Sequence, residues 1–200
     1  VRNQIIGRLT APTPNDVNDW ESPAADMIAD ATLAATKAPE FGGAEVAFVN
    51  ATGVRVPLPA GEITYAQAFS VMPFGNNLVV MTLTGADIKK AIEQQFDGTI
   101  RDEGFPAVLA ASMGFRYSID MNRPSGDRVT AMSLNGKAIR MDARYRVALN
   151  NYLASGGDGI DAFTAGTNLT DKGVIDLDAL IAWIAKGREP PKPDRISAKL

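Results

Sequence analysis

The sequence predicts a single α+β domain with a mixed, mostly antiparallel sheet and flanking helices. Three observations support this fold class. Helical and strand-like segments are mixed along the chain without the strict alternation of a parallel α/β fold. Asn135-Gly136 separates two β-prone segments and is a strong short-range signal for an antiparallel hairpin. The chain has 200 residues, 46% of them hydrophobic, which is enough for one domain with a full core.

Four helices are predicted from apolar spacing and capping signals. The first begins at Ser22-Pro23, where a capping hydroxyl precedes a proline in the first turn, and it ends before Pro39. Thr84–Phe96 and Val174–Lys186 each place apolar side chains on one face. A brief helix is predicted over Ala66–Val71.

The strands are predicted from short runs of β-forming residues. They cover Ala44–Val49, Asn77–Leu83, Phe115–Met121, Arg128–Leu134, Ala138–Arg140 and Tyr145–Asn150, and Glu62–Tyr65 is a short strand or the start of a helix. The final ISAKL is expected to add an edge strand after an extended, proline-rich tail. The stretch from 97 to 113 is expected to be irregular, because it holds several glycines and a proline.

The composition restricts the chemistry. The formal net charge is -3, so the chain has no basic field to attract nucleic acid. The absence of Cys excludes disulfides and thiolate metal sites, and the absence of His excludes a Ser-His-Asp triad and a His-rich metal centre. The sequence also lacks a clustered D-x-D-x-D pattern and any apolar run of about 18 residues, the length of a membrane span.

Two turn segments have a composition that packing alone explains poorly. Asn50–Arg55 (NATGVR) follows an apolar strand with a glycine turn, which aims backbone N–H groups and Arg55 at one point, as anion sites do. The alternative is a plain turn with a solvated arginine. Met72–Asn77 (MPFGNN) places Phe74 between proline and glycine, where it is available to a ligand. The alternative is a core phenylalanine that anchors the turn.

A third segment, Asn151–Gly159 (NYLASGGDG), has three glycines in four residues. Glycine is costly in backbone entropy, so a close approach or a positive φ is expected there. Asp158 in this loop is placed to accept hydrogen bonds from sugar hydroxyls. The alternative is that Asp158 only caps its own loop.

In this order the three segments resemble the C-terminal domain of 5′-nucleotidases. That family has N-G-G-G-[IV]-R, then P-F-G, then N-[FY]-L-A-x-G-G-D-G, where this chain reads NATGVR, MPFGNN and NNYLASGGDG. GEITYAQAF, TGADIKKAIE, GFRYSIDMNRPSGDRV and YRVALN match in place as well. The resemblance covers about residues 18 to 197, so one domain of this type is expected over 1–200.

The resemblance implies roles for six residues. Phe74 and Tyr152 would stack on either face of a nucleobase, and Asp158 would bind the ribose hydroxyls. Asn50 and Arg55 would contact the nucleotide, with Arg55 on the phosphate side. Asn76 is a weaker candidate beside this platform. Because stacking needs only the ring, Tyr152→Phe is expected to bind nearly as well as the original.

The chain departs from the family pattern in two places. Ala51 and Thr52 replace two glycines of the first segment and are expected to crowd the turn and narrow the pocket. The family often has an arginine just before the first helix, where this chain has Trp20-Glu21, so a phosphate contact is expected to be lost.

The resemblance also implies a hydrolase whose chemistry takes place on another domain. In the family, two metal ions on an N-terminal metallophosphoesterase domain activate water and hold the phosphate. This chain lacks the histidines and motifs of that domain, so it is expected to bind no metal or other cofactor and to be inactive alone. Its expected partners are a nucleotide or nucleoside and the N-terminal domain of the same polypeptide, with no nucleic acid and no membrane span. The family is usually periplasmic or secreted.

Two alternatives stay open at this point. One alternative to a 5′-nucleotidase domain is a stand-alone nucleotide-binding module. The other is a domain of a superfamily relative that acts on cyclic nucleotides, nucleotide sugars or another substrate.

Overall fold

The computed structural model describes residues 1–15, 20–96 and 108–199. Within these ranges the helices are α1 (Pro23–Thr36), α2 (Tyr65–Val71), α3 (Gly85–Gln94), α4 (Asn151–Ala154) and α5 (Asp176–Ile184). The strands are β1 (Ile5–Leu9), β2 (Val46–Asn50), β3 (Gly61–Thr64), β4 (Asn77–Thr84), β5 (Leu109–Ala111), β6 (Phe115–Asp120), β7 (Val129–Leu134), β8 (Lys137–Ala138), β9 (Arg144–Asn150), β10 (Thr167–Ile175) and β11 (Ile196–Lys199). The α+β fold class predicted from the sequence is confirmed.

The central sheet has the strand order β10-β4-β9-β2-β5 and is mixed. β2 runs parallel to β9, whereas β4 runs antiparallel to β9 with Leu78 opposite Asn150. The carboxyl ends of β2 and β9 therefore meet the amino end of β4 at one edge of the sheet. This edge brings together the three segments that the sequence singled out, because each of them flanks one of these strand ends.

The helices α1, α2 and α5 pack on one face of the central sheet, and a second sheet together with α3 covers the other. β2 is buried along its whole length, with Phe48 facing the second sheet and Val49 facing the helices. Phe48 packs edge-on against the fully buried Phe115 of β6, with ring centroids 5.0 Å apart. Truncating a fully buried phenylalanine costs about 3–5 kcal/mol, so this contact is a main anchor of the core.

The second sheet has the order β11-β6-β7-β8. Its hairpin turns at Asn135 and Gly136, which both have positive φ, as an Asn-Gly turn of this kind requires. β11 joins the edge of this sheet parallel to β6, so the predicted edge strand at the end of the chain is confirmed. A small antiparallel ladder of β1 and β3 completes the strands of the described residues.

The capping signal predicted at Ser22 is confirmed, and α2 and α3 begin with caps that were not predicted. The Ser22 side chain accepts a hydrogen bond from the Ala25 N–H at the start of α1. Thr64 and Thr84 each form a reciprocal capping box at the starts of α2 and α3. The four predicted helices therefore form, with ends shifted by a few residues.

Three predictions about elements need correction. Leu109–Ala111 forms β5 beside β2, although it lies in the stretch expected to be irregular; residues 97–107 of that stretch lie outside the described residues. Asn151–Ala154 forms the short helix α4 inside the expected loop, because Asn150 caps it by accepting from the Leu153 N–H. The strand β10 was not predicted, because most of its side chains are exposed at the sheet edge and show no alternation.

Within the described ranges, no helix has both the length and the apolar character of a membrane span.

Candidate functional site

A cavity of about 350 Å³ opens at the sheet edge where β2 and β9 end and β4 begins. Its apolar floor comes from the helix-covered core: Ile28, Val49, Val54 and Met72. Its walls include all six residues predicted from the sequence: Asn50, Arg55, Phe74, Asn76, Tyr152 and Asp158. The structure thus brings the six candidates into one place, on a floor that is packed into the core.

The two aromatic side chains of the cavity are half-exposed. Phe74 has 53% of its surface exposed and Tyr152 has 45%. Side chains with this exposure are not core anchors, which removes the alternative weighed for Phe74. The Tyr152 ring lies against Gly157, where an added Cβ would come within 2.5 Å of the ring. Gly157 is therefore required by close approach to the ring.

Arg55 is held at the cavity mouth by Phe74. Its guanidinium carbon lies 5.6 Å from the Phe74 ring centroid, a cation–π arrangement. Its Nη1 donates to the Thr52 carbonyl at 3.4 Å, and its backbone N–H donates to the Val71 carbonyl. Among the described residues no carboxylate forms an ion pair with Arg55. Its charge is thus available to an anionic ligand.

A chain of hydrogen bonds crosses the polar end of the cavity. Asn150 Nδ2 donates to Asn50 Oδ1 at 3.1 Å, and Asn50 Nδ2 donates to Thr52 Oγ1 at 3.1 Å. The Thr52 hydroxyl donates to Asp158 Oδ2 at 2.7 Å, and the Tyr152 hydroxyl donates to Asp158 Oδ1 at 2.8 Å. The bond to the carboxylate raises the pKa of Tyr152 above its ordinary value, because ionisation of the phenol would break it. Asp158 is therefore held from two sides.

Asn76 is oriented from behind by a buried carboxyl group. Asn76 Nδ2 donates to Asp176 Oδ2 at 3.1 Å, and Asp176 is only 1% exposed. Burial raises the pKa of Asp176, while its hydrogen bonds from Asn76 and from the Leu177 N–H act in the opposite direction. This hydrogen bond fixes the orientation of the Asn76 amide, and the amide oxygen can accept a hydrogen bond from a ligand.

Both departures from the family pattern have a structural account. Thr52 bonds directly to Asp158, so the first departure adds a polar contact across the cavity. The Glu21 carboxylate accepts hydrogen bonds from the backbone N–H groups of 194, 195 and 196, and Trp20 lies beside Phe96 with ring centroids 6.2 Å apart. In the second departure, Glu21 therefore holds the C-terminal tail in place, whereas Trp20 contacts Phe96.

Sequence reasoning missed three residues of the site's polar network: Thr52 as a hydrogen-bond donor, Asn150 and Asp176. Asn150 carried a usable signal, since Asn50 and Asn150 end two strands that both lead into the singled-out segments. Thr52 and Asp176 carried none, because their partners lie 106 and 100 positions away in the sequence.

The fold and the cavity are typical of a domain that binds a small molecule on aromatic and polar walls. The sequence model of the family described as "5′-nucleotidase, C-terminal domain" matches residues 5–165. The chain belongs to this family, as its three segments indicated.

Known proteins of this family are longer than the chain. The trifunctional nucleotide phosphoesterase protein YfkN of Bacillus subtilis (strain 168) is 38% identical over 195 residues, which cover 93% of this chain and 13% of that protein. An apyrase of Anopheles gambiae is 32% identical over 189 residues, which cover 92% of this chain and 32% of that protein. The crystal structure of a 5′-nucleotidase precursor from Thermus thermophilus superimposes with a TM-score of 0.86 at 30% identity, over 98% of this chain and 39% of that one.

Proposed function

We propose that this chain is the nucleotide-recognition domain of a 5′-nucleotidase-type phosphoric monoester hydrolase. The observation that carries the proposal is the convergence of three distant segments on one cavity. They supply two half-exposed rings, a guanidinium that forms no ion pair with any described residue, and a carboxylate held from two sides. A nucleotide has a flat base, a diol and an anionic phosphate, which match these three kinds of group.

In this proposal the base stacks on Phe74 and Tyr152. Stacking of one base on one aromatic side chain is worth about 1–3 kcal/mol. A stacked base covers the exposed apolar surface of both rings, which is favourable because this surface leaves water. The apolar floor at Met72 and Val54 removes further base surface from water. Asn76 presents an amide oxygen next to this platform and contacts the base edge.

The sugar and phosphate occupy the polar end and the mouth of the cavity. Asp158 accepts hydrogen bonds from the ribose hydroxyls, and Asn50 lies next to it in the same network. Arg55 leaves its contact with Phe74 and pairs with the phosphate, which gives a charge-assisted hydrogen bond in place of a cation–π contact.

For the parent protein we propose hydrolysis on an N-terminal metallophosphoesterase domain that holds two divalent metal ions. The chain contains no His or Cys, and within the described ranges no group of three or more acidic side chains is placed to hold a metal ion. Its role is therefore recognition of the nucleotide. A periplasmic or secreted location belongs to the same proposal; the relative from Thermus thermophilus is named a precursor.

The alternative from a different class is a stand-alone nucleotide-binding module. The reading frame upstream of this chain distinguishes the two, since a D-x-H and N-H-[DE] metallophosphoesterase pattern there would establish the hydrolase. The relatives also leave the number of phosphates open, since one is named a phosphoesterase and another an apyrase.

Titration calorimetry with adenosine, AMP and ribose 5-phosphate tests the proposal. We expect AMP to bind more tightly than adenosine, and ribose 5-phosphate to bind at least tenfold more weakly than AMP, since it lacks a base; tenfold corresponds to about 1.4 kcal/mol. Phe74→Ala should weaken AMP and adenosine alike. Phe69→Ala is the matched control, because Phe69 is 46% exposed on α2 but does not line the cavity. Equal binding of ribose 5-phosphate and AMP would contradict a base platform.

A further inference from the structure

Thr52 joins the two walls of the cavity. Its hydroxyl donates to Asp158 Oδ2 at 2.7 Å and accepts from Asn50 Nδ2 at 3.1 Å. Asn50 is buried and is itself held by Asn150, so the position of the Thr52 hydroxyl is fixed from the sheet side. A glycine at this position, as in the family pattern, offers no hydroxyl for either bond.

The Asp158 backbone makes such a support necessary. Asp158 has φ 56°, in the left-handed region that residues other than glycine seldom adopt, and it lies in the short 3-10 turn Gly157–Gly159. Two side chains outside the turn fix its carboxylate: Thr52 on Oδ2 and Tyr152 on Oδ1. Without Thr52 the carboxylate would be free to rotate about the Tyr152 bond.

The arrangement leaves acceptor sites for a ligand on both oxygens. Each carboxylate oxygen has two lone-pair directions, and the two hydroxyls occupy one on each oxygen. The two remaining directions suit a pair of neighbouring hydroxyl donors. A vicinal diol can use both of them, whereas a sugar with a single hydroxyl can use only one.

We propose that Thr52 is a positioning residue that sets the selectivity of this site for ligands with an intact ribose diol. The inference rests on the proposed function, since it takes Asp158 as the group that faces the sugar. Thr52 acts through Asp158 and increases the affinity for ribonucleosides over their deoxy forms.

The test compares Thr52→Val and Thr52→Ser with the original chain. Valine keeps the shape of threonine and removes the hydroxyl, whereas serine keeps the hydroxyl. The ligands are adenosine, 2′-deoxyadenosine and 3′-deoxyadenosine, measured by titration calorimetry. Thr130→Val, on the exposed face of β7, is the control for a threonine outside the cavity.

We expect Thr52→Val to weaken adenosine about tenfold, the effect of losing one well-placed hydrogen bond, and each deoxy form less than about twofold. Thr52→Ser should restore the preference for adenosine. A similar loss for all three ligands would show a merely structural role and overturn the inference, and so would an unchanged preference in Thr52→Val. If the original chain bound none of the three ligands, both the proposed function and the inference about Thr52 would fail.

Discussion

At the scale of single residues, Tyr152 makes contacts through its hydroxyl that its sequence context does not reveal. The sequence suggested that only the ring matters, but the hydroxyl donates to Asp158 Oδ1 and accepts from the Asp158 N–H at 3.1 Å. Ring and hydroxyl therefore serve different parts of the cavity. The expectation that Tyr152→Phe binds nearly as well as the original is revised accordingly.

We predict that Tyr152→Phe keeps its affinity for 2′-deoxyadenosine but binds adenosine several-fold more weakly. Loss of the Tyr152 hydroxyl removes its hydrogen bonds to Asp158, each worth about 0.5–1.5 kcal/mol. Tyr152→Ala should weaken both ligands by about tenfold or more, because it also removes the ring. Calorimetric titrations of both variants check this, together with their melting temperatures. Equal affinity of Tyr152→Phe and the original for adenosine would show that the hydroxyl contributes nothing to binding.

Arg55 gives a second residue-scale prediction. Arg55→Ala should weaken AMP by about 1.5–3 kcal/mol, the range for a charge-assisted hydrogen bond, and leave adenosine nearly unchanged. Adenosine has no phosphate to pair with Arg55, so its affinity should not change. Removal of the guanidinium leaves the Phe74 ring in place for stacking. Arg140→Ala is the control, since Arg140 is an exposed arginine that does not line the cavity. If adenosine and AMP lost affinity equally, Arg55 would not lie at the phosphate.

Some of the candidate residues were predictable because they lie in turns whose composition has no structural period, and the others were named only from the resemblance to the family. Phe74 sits between proline and glycine, and Asp158 lies in a glycine-rich loop, so neither has a place on an apolar face. The hydrogen bonds between them were not predictable. Thr52 and Asp158 meet only because β2 and β9 run parallel, and nothing local to either residue encodes that pairing.

At the scale of elements, strands with a buried face were predicted better than those without one. β2 and β9 have continuous apolar runs because both faces of the central sheet are covered. β10 lies at the sheet edge with two shifts in its register, so its nine residues show no alternation of apolar and polar side chains. β5 has only three residues, too few to distinguish a strand from an apolar turn.

A buried charged cluster ties α1 to the tail that carries β11. Arg195 forms an ion pair with Asp30 at 2.8 Å, and Glu21 accepts from the Arg195 N–H. Asp26 between them is fully buried, and its Oδ2 lies 3.9 Å from Arg195 Nε, beyond hydrogen-bond distance. Burial and a hydrogen bond with Glu21 raise the pKa of Asp26 to about 9, although the charge of Arg195 acts in the opposite direction. With this pKa Asp26 carries a proton at pH 7 and donates it in a hydrogen bond to Glu21.

The stability of the domain should therefore fall as the pH rises. The folded chain keeps the Asp26 proton up to about pH 9, whereas the unfolded chain releases it near pH ~3.9. This contribution is fully present below the unfolded pKa, decreases by up to about 1.4 kcal/mol per pH unit between the two pKa values, and is gone once the pH has risen through the folded pKa. Asp26→Asn cannot titrate, so its free energy of unfolding should depend less steeply on pH between 5 and 8.

Urea unfolding at pH 5, 6, 7 and 8 measures this difference in slope. Asp120→Asn is the control: the backbone hydrogen bond from Asn122 lowers the pKa of Asp120, so its contribution changes only in more acidic solution. The control should run parallel to the original chain over the whole range. Parallel profiles for Asp26→Asn and the original chain would show that Asp26 is ionised in the folded state.

At the scale of the whole molecule, the domain largely separates the packing of its core from the polar walls of the candidate cavity. The helices and the second sheet cover the two faces of the central sheet and supply the core, while the cavity uses only one edge of it. Most polar groups of the cavity sit on turns that follow rigid strands, an arrangement that lets binding residues vary without loss of the fold. The substitution of Thr52 for a family glycine is an example of such variation.

The same separation leads to a prediction for the chain as a whole: it binds AMP but does not hydrolyse it. Phosphate ester hydrolysis requires a group that activates water and one that stabilises the developing charge, commonly two metal ions in hydrolases of this class. The chain has no histidine, and Arg55 is the only predicted site residue that carries a positive charge. Asp158, the carboxylate among the predicted site residues, is assigned in this proposal to the ribose hydroxyls and not to the phosphate.

We expect no phosphate release from AMP above a buffer blank when Mn²⁺, Mg²⁺ or Zn²⁺ is added, even at protein concentrations that saturate AMP in calorimetry. A colorimetric phosphate assay measures this, with the longer 5′-nucleotidase from Thermus thermophilus as the positive control. The Phe74→Ala variant separates a contaminating enzyme from intrinsic activity. Release that persists in Phe74→Ala comes from a contaminant, because that variant should bind AMP poorly. Metal-dependent release that falls in Phe74→Ala in proportion to its loss of AMP affinity would mean that this domain is catalytic by itself, contrary to the prediction.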